Sequence, residues 1–228
     1  MLNNSIFKRD EVEILITNKS HGSMHNKGRA LSKINSNLHL KKIVFMKQVH
    51  GNVTSFVDLS SPGVILDTDG IITNKQHIAL CALTADCLPI FIYDPKNLCV
   101  GVVHAGYKGI LKGVIEEATA NFVKKASKVT DLLIGIGPSI GVCCYSVSRE
   151  RVGQFQDKFA GFEDIYSADK GRYFLDLKSV AKQILVNSGV NSKNIDIMPV
   201  CTSCNNNIYY SYRKETGGGV FASVIMMN

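Results

Sequence analysis

The stretch Ile78-Ala-Leu-Cys-Ala-Leu-Thr-Ala-Asp-Cys-Leu-Pro-Ile-Phe-Ile-Tyr93 sets one apolar run, Ile78–Leu83, against a second, Ile90–Tyr93, with Thr84-Ala-Asp-Cys-Leu-Pro89 between them. Both runs are short and rich in Ile, Leu and Phe, as buried strands are. A plain core strand needs neither an acid nor a thiol. Their placement side by side, where two buried strands should meet, marks Cys87 as a metal ligand whose partners lie elsewhere in the chain.

Outward from this stretch, strand patterns recur at Val12–Thr17, Ile43–Val49, Gly70–Thr73, Pro89–Tyr93, Leu98–His104, Leu132–Gly137, Ile195–Val200, Ile208–Tyr212 and Val220–Met227. Helical periodicity is clear in two places. Leu111, Val114, Ile115, Ala118, Phe122 and Val123 form one stripe, and Leu177, Val180, Ala181, Ile184 and Leu185 a second. Asp176 suits the N-cap of the second helix and Gly189 its stop. A third helix is expected over Ser148–Phe159. So many strands for so few helices does not fit simple β-α alternation and points to a layered α+β fold.

The 228 residues are 45% hydrophobic and 20% charged, an ordinary globular balance, and no linker or repeat divides them. A single domain over residues 1–228 is expected. Lys plus Arg is 26 against 19 Asp plus Glu, giving +7, but the basic residues never run beyond two, as at Lys41-Lys42 and Lys124-Lys125. That scatter reads as solvated surface, or as a pocket for an anionic small substrate, rather than as a nucleic-acid footprint. The amino-terminal sequence lacks a signal-type apolar core, and no run has the roughly 18 apolar residues of a membrane span. A cytoplasmic location with reduced thiols is therefore expected.

Three candidate ligands fall at or beside strand ends: His50, Cys87 and His104. Their spacing matches no short metal motif. The attraction is that strand ends are rigid and that Gly51 and Gly106 leave room for a substrate. Two imidazoles and one thiolate suit zinc and leave a fourth position open, the catalytic pattern. Taken singly, each residue also reads as a buried cysteine or a hydrogen-bonded surface histidine. Cys201-Thr-Ser-Cys204 is a lone CxxC, poor as a structural zinc site, and Cys143-Cys144 reads as packing within a glycine-bounded loop. No histidine opens the H-x-E of the zinc nucleobase deaminases, no His-x-His pair suggests a multicopper centre, and Gly135-Ile-Gly137 is too short for a dinucleotide loop.

Several segments in order resemble the bacterial YfiH-like family, also called laccase-domain or polyphenol-oxidase-like proteins. They are Gln48-Val-His-Gly51, Thr84-Ala-Asp-Cys-Leu-Pro89, Val103-His-Ala-Gly-Tyr-Lys-Gly109, Gly137-Pro-Ser-Ile-Gly-Val-Cys-Cys-Tyr145 and Ser211-Tyr-Arg213. The resemblance implies a four-layer α/β/β/α sandwich with mixed β-sheets, and zinc on His50, Cys87 and His104. It implies purine nucleoside chemistry: phosphorolysis of adenosine, inosine, guanosine or methylthioadenosine, and deamination of adenosine. The implied partners are purine nucleosides and phosphate, with no nucleic acid and no membrane; the oligomeric state stays open. In that reading Cys87 and Asp86 are catalytic. Asp69 is the other acid placed to move protons, and Asp86 equally suits orienting a ligand. Lys47, Gln48, Tyr107, Lys108 and Arg213 would bind substrate.

The chain departs from the family pattern in four places. Tyr107-Lys108 stands for Trp-Arg, Ser146 for Glu, and Thr216-Gly-Gly-Gly219 lacks the family's arginine; the segment His21–Asn37 looks short. Two other readings use the same residues: a metal-independent hydrolase with Cys87 as nucleophile and His104 as its base, and a nucleoside-binding protein without turnover.

Overall fold

The structure, a computed structural model, describes residues 7, 11–25 and 40–228. Among the described residues fourteen strands run β1 Val12–Ile16, β2 Lys42–Met46, β3 Thr54–Phe56, β4 Val64–Ile65, β5 Gly70–Thr73, β6 Ile78–Thr84, β7 Leu88–Asp94, β8 Cys99–Ala105, β9 Leu133–Ile136, β10 Ser146–Val147, β11 Tyr166–Asp169, β12 Arg172–Leu175, β13 Ile195–Ile197 and β14 Phe221–Met227. The described α-helices are α1 Tyr107–Lys112, α2 Val114–Lys124, α3 Arg149–Lys158 and α4 Leu177–Asn187.

Two mixed sheets dominate. One has the order β1-β14-β6-β2-β4, the other β13-β9-β7-β8-β5-β3; β10, β12 and β11 form a small third sheet. The β2–β6 pair is parallel and the β7–β8 pair antiparallel. Strands β7 and β8 are buried along their whole length, which is why their sequence is apolar at nearly every position. The period of two survives inside that run. Phe91, Tyr93, Val100 and Val102 face Val44, Leu80 and Ile225 of the other sheet, while Ile90, Ile92 and Val103 face the helices. Helices, six-stranded sheet and five-stranded sheet thus stack as successive layers. On the far face of the five-stranded sheet Ile43, Phe45, Ala79, Val224 and Met226 gather around Met24. The expectation of a second helical layer there, and of a shortened segment before Asn37, concerns residues outside those described.

Helix α2 buries Val114, Ile115, Ala118 and Phe122 of the predicted stripe, whereas Leu111 falls in α1, set apart by the left-handed Gly113, and Val123 is exposed. Gly101 admits the Phe122 ring, since a Cβ there would stand 3.0 Å from Phe122 Cε2. Asp176 caps α4 by accepting from the N–H groups of Lys178 and Ser179, and Gly189 follows the helix with φ 99°. Helix α3 starts after Ser148, whose hydroxyl accepts from the Arg151 N–H.

Three strand expectations need correction, and one of them, Ile195–Val200, is a strand only over Ile195–Ile197. The run Ile43–Val49 pairs only as far as Met46; residues 47–51 leave the sheet. Ile208–Tyr212 is no strand, because it sits in a chain of turns after Cys201, with Ile208 and Tyr212 41% and 64% exposed and no ladder beside it. The short β3, β4 and β10 and the exposed hairpin β11–β12 carry too little apolar pattern to be read in advance.

Candidate metal centre

Strand β6 belongs to the five-stranded sheet and β7 to the six-stranded one. Residues 85–87 are therefore the corner where the chain crosses between sheets, which answers why polar residues interrupt two buried runs. Beside that corner His104 is the penultimate residue of β8, opposite Pro89 of β7. His50 arrives from the loop after β2, the parallel neighbour of β6. One donor atom each from His50, Cys87 and His104 lies within 4.8 Å of the others. Cys87 Sγ stands 3.9 Å from His50 Nε2, and the two imidazoles meet edge to face with centroids 4.8 Å apart. Gly106 makes this convergence sterically feasible. A Cβ there would come within 2.8 Å of His50 Cδ2 and 2.9 Å of Cys87 Sγ.

Asp69, wholly buried just before β5, organises the corner. Its Oδ1 accepts from the His50 N–H at 3.0 Å and lies 2.8 Å from His104 Nδ1. Its Oδ2 accepts from the N–H groups of Val49 at 3.1 Å and Gly51 at 2.7 Å. The loop carrying His50, whose φ of 55° is left-handed, is thereby fixed. With Nδ1 turned to the carboxylate, His104 presents Nε2 to the centre, the usual arrangement behind a ligating imidazole. Burial disfavours charge on all three buried groups, yet their mutual attraction wins. Hydrogen bonds from His104 and the backbone hold Asp69 below the usual carboxylate range. Charge on His104 and hydrogen bonds from both imidazoles bring Cys87 down to about 6. The Cys87 thiolate and Asp69 hold His104 up to about 9. Two imidazoles and a thiolate, backed by a carboxylate and cradled by a glycine, are a donor set that fits a borderline-soft divalent ion such as zinc.

The remaining predicted site residues divide. Asp86, with φ 87°, accepts from the Thr202 hydroxyl at 2.6 Å and from the Arg213 N–H at 2.7 Å. Both carboxylate oxygens are thus engaged in tying the corner to the carboxy-terminal turns. Gln48 spends its amide on the Leu83 backbone, donating to its carbonyl at 2.8 Å and accepting from its N–H at 2.9 Å. Arg213 donates to the Ser146 carbonyl at 2.6 Å with its guanidinium 5.1 Å from the Tyr145 ring centre. Tyr107 opens α1, one ring face covered by the Arg151 guanidinium at 4.0 Å. Lys47 and Lys108 are exposed.

Arg151, Tyr145 and Thr202 escaped the sequence reading. Burial raises the Tyr145 phenol, with Arg151 and Arg213 opposing and the Cys87 thiolate adding, so all three charges reach this ring. Nothing local in Arg149-Glu-Arg151 signals that role. The four remaining loop cysteines also differ from expectation. Donor atoms of Cys143, Cys144, Cys201 and Cys204 lie within 4.8 Å of one another. The CxxC does have partners; they stand some sixty residues away along the chain and are joined only by the fold.

The family described as multi-copper polyphenol oxidoreductase laccase matches residues 17–228. A Bacillus subtilis protein named purine nucleoside phosphorylase YlmD is 34% identical over 192 residues, 79% of this chain and 69% of its own. A Borreliella burgdorferi protein named purine nucleoside phosphorylase is 32% identical over 211 residues, 90% of this chain and 88% of its own. Among solved structures, YlmD from Geobacillus stearothermophilus superposes with a TM-score of 0.88 at 25% identity, covering 98% of this chain and 94% of its own. Bacillus licheniformis YfiH gives 0.79 at 28% identity, covering 87% and 79%.

Proposed function

This chain belongs to the multi-copper polyphenol oxidoreductase laccase family, and we propose that it is a zinc-dependent purine nucleoside enzyme. It would cleave adenosine, inosine, guanosine or methylthioadenosine with phosphate, and deaminate adenosine. The observation that carries this reading is the convergence of His50, Cys87 and His104 on one point, with Asp69 behind them. The names of the B. subtilis and B. burgdorferi relatives supply the substrate class. Copper oxidation of phenols is the weaker reading. Of the two groups of potential ligands among the described residues, only this one contains histidine.

Zinc on His50, Cys87 and His104 would supply a Lewis acid and a fixed positive charge at the sheet corner. The chain's own residues do the rest. Asp69 keeps the His104 tautomer and the His50 loop in place. Arg213 uses one guanidinium nitrogen on Ser146, leaving donors for a phosphate oxygen, and Lys108 and Lys47 add charge at the rim. Asp86 serves as a positioning residue, since both its oxygens hold the turns that carry Arg213 and Thr202. Tyr107, whose ring lies 4.0 Å from the Arg151 guanidinium and 5.9 Å from the Lys108 ammonium, would stack on the purine. Incubation of pure protein with adenosine and phosphate, resolving adenine, inosine and hypoxanthine, tests the proposal. Absence of all three products from protein with a full zinc complement would defeat it.

One observation favours a second reading. Cys87 down at about 6 beside His104 up at about 9 is a thiolate–imidazolium pair of the kind thiol hydrolases use. Activity that survives chelation and is abolished by iodoacetamide would favour that chemistry.

A further inference from the structure

Four sulfurs from two loops meet near the candidate catalytic corner. Cys143 and Cys144 follow β9, in the loop before β10; Cys201 and Cys204 follow β13. Cys204 Sγ stands 3.4 Å from Cys144 Sγ and 3.6 Å from Cys143 Sγ, and all four thiols are free. A disulfide would need about 2.05 Å. The edge of a tetrathiolate tetrahedron around zinc, with Zn–S near 2.3 Å, is about 3.8 Å, which is the scale of the observed spacings.

The backbone is arranged for sulfur. The Gly141 N–H donates to Cys201 Sγ at 3.2 Å, the kind of outer contact that orients a thiolate ligand. A side chain at Gly141 would crowd the cluster, as its Cβ would stand 3.2 Å from Cys201 Cβ and 3.3 Å from Cys143 Sγ. Ser139 and Cys201 form a parallel bridge, and the Thr202 N–H donates to the Ser139 carbonyl at 3.1 Å, so the two loops are already in register. Lys178 donates to the carbonyls of Met198 and Val200 just before the cluster, adding a cation beside a group of potential thiolates.

We infer that Cys143, Cys144, Cys201 and Cys204 form a second metal site, a structural tetrathiolate for zinc that clasps the loop after β9 to the loop after β13. Both loops bear on the first centre. Thr202, inside the CxxC, donates to Asp86; Ser146, two residues past Cys144, accepts from Arg213. The clasp therefore holds the wall against which Asp86 and Arg213 are set. It takes no part in the reaction, and it stands whether or not the first centre turns over nucleosides.

Zinc counting after exhaustive dialysis tests it. In a background carrying His50→Ala and Cys87→Ala, about one zinc per chain should remain, and adding Cys201→Ser with Cys204→Ser should remove it. A background that keeps no zinc overturns the assignment, as does a quadruple variant that keeps as much as its parent, or a site that takes cuprous ion and not zinc. Should the serine variants fail to fold, the wild type decides. Cys143 and Cys204 are exposed, so mass-resolved alkylation reads them directly. Labelling should be at least about tenfold slower in zinc-loaded than in chelator-stripped protein, because a ligated thiolate is a poor nucleophile. Equal labelling rates, or a disulfide within the four under reducing conditions, overturn the site.

Discussion

The sheet corner and the cysteine clasp gather soft ligands in opposite ways. At the corner, His104 sits on a buried strand and Asp69 engages four N–H groups at once, three of them the backbone N–H groups of Val49, His50 and Gly51 and the fourth on the His104 ring. At the clasp, the sulfurs ride on turns, and Cys143 and Cys204 face solvent. A centre that must present an open position needs ligands fixed before anything binds. A centre that only joins two loops can let the ion do the ordering. The two are coupled through Thr202 and Asp86.

The contrast breaks most sharply at Cys87. Cys87→Ser should lower nucleoside turnover by about two orders of magnitude or more and remove one zinc, with no change in the alkylation of Cys143 or Cys204. Retained turnover with zinc unchanged would dismiss the corner as the active site.

Asp69→Asn should come next. The amide cannot accept at both oxygens, so its NH₂ must face N–H donors, at a cost of roughly 1–3 kcal/mol for each buried group left unpaired. Metal affinity at the corner should fall about 10- to 100-fold and the melting temperature with it. Unaltered zinc affinity, read by competition with a chelating dye, would mean that His104 needs no orienting partner.

In chelator-stripped protein the corner should still announce itself through its thiol. Cys87, held at about 6, should become alkylated as pH rises through that value, since the depressed acid is fully thiolate above it. Cys99, pushed up to about 12 by burial and by Asp94, should stay unlabelled at neutral pH. A Cys87 labelling midpoint above pH 8 would remove the thiolate–imidazolium pair.

The smallest effect expected is that of Thr202→Val. It deletes a buried 2.6 Å hydrogen bond to Asp86 while keeping shape. The cost is about 1–2 kcal/mol, with a several-fold rise in KM for phosphate as Arg213 loosens. An unchanged KM would uncouple clasp from corner.

Much of this was legible without coordinates. The central strands, most of the stripes of α2 and α4 and the Asp176 cap follow from period and residue type; His50, Cys87 and His104 stand out singly as candidate ligands by residue type and strand-end position, and only the family resemblance joins them into one set. What was not legible shares one cause: partners remote in sequence. Gln48, read as a substrate contact, braces Leu83; Arg151 covers Tyr107 from another helix; the CxxC finds its second pair of sulfurs across sixty residues.

By itself the sequence determined the layers, because burial on one or both faces of a strand or helix writes its period into neighbouring residues. It also marked His50, Cys87 and His104 as candidates for metal chemistry, because thiol and imidazole at the ends of buried strands offer donor atoms that packing alone does not require. Tertiary structure alone decided that Thr84–Pro89 is a crossing between sheets, that Asp69 rather than Asp86 stands behind His104, and that the sulfurs of four scattered cysteines come together. Those are statements about distance through space, which chain folding sets and local pattern does not encode.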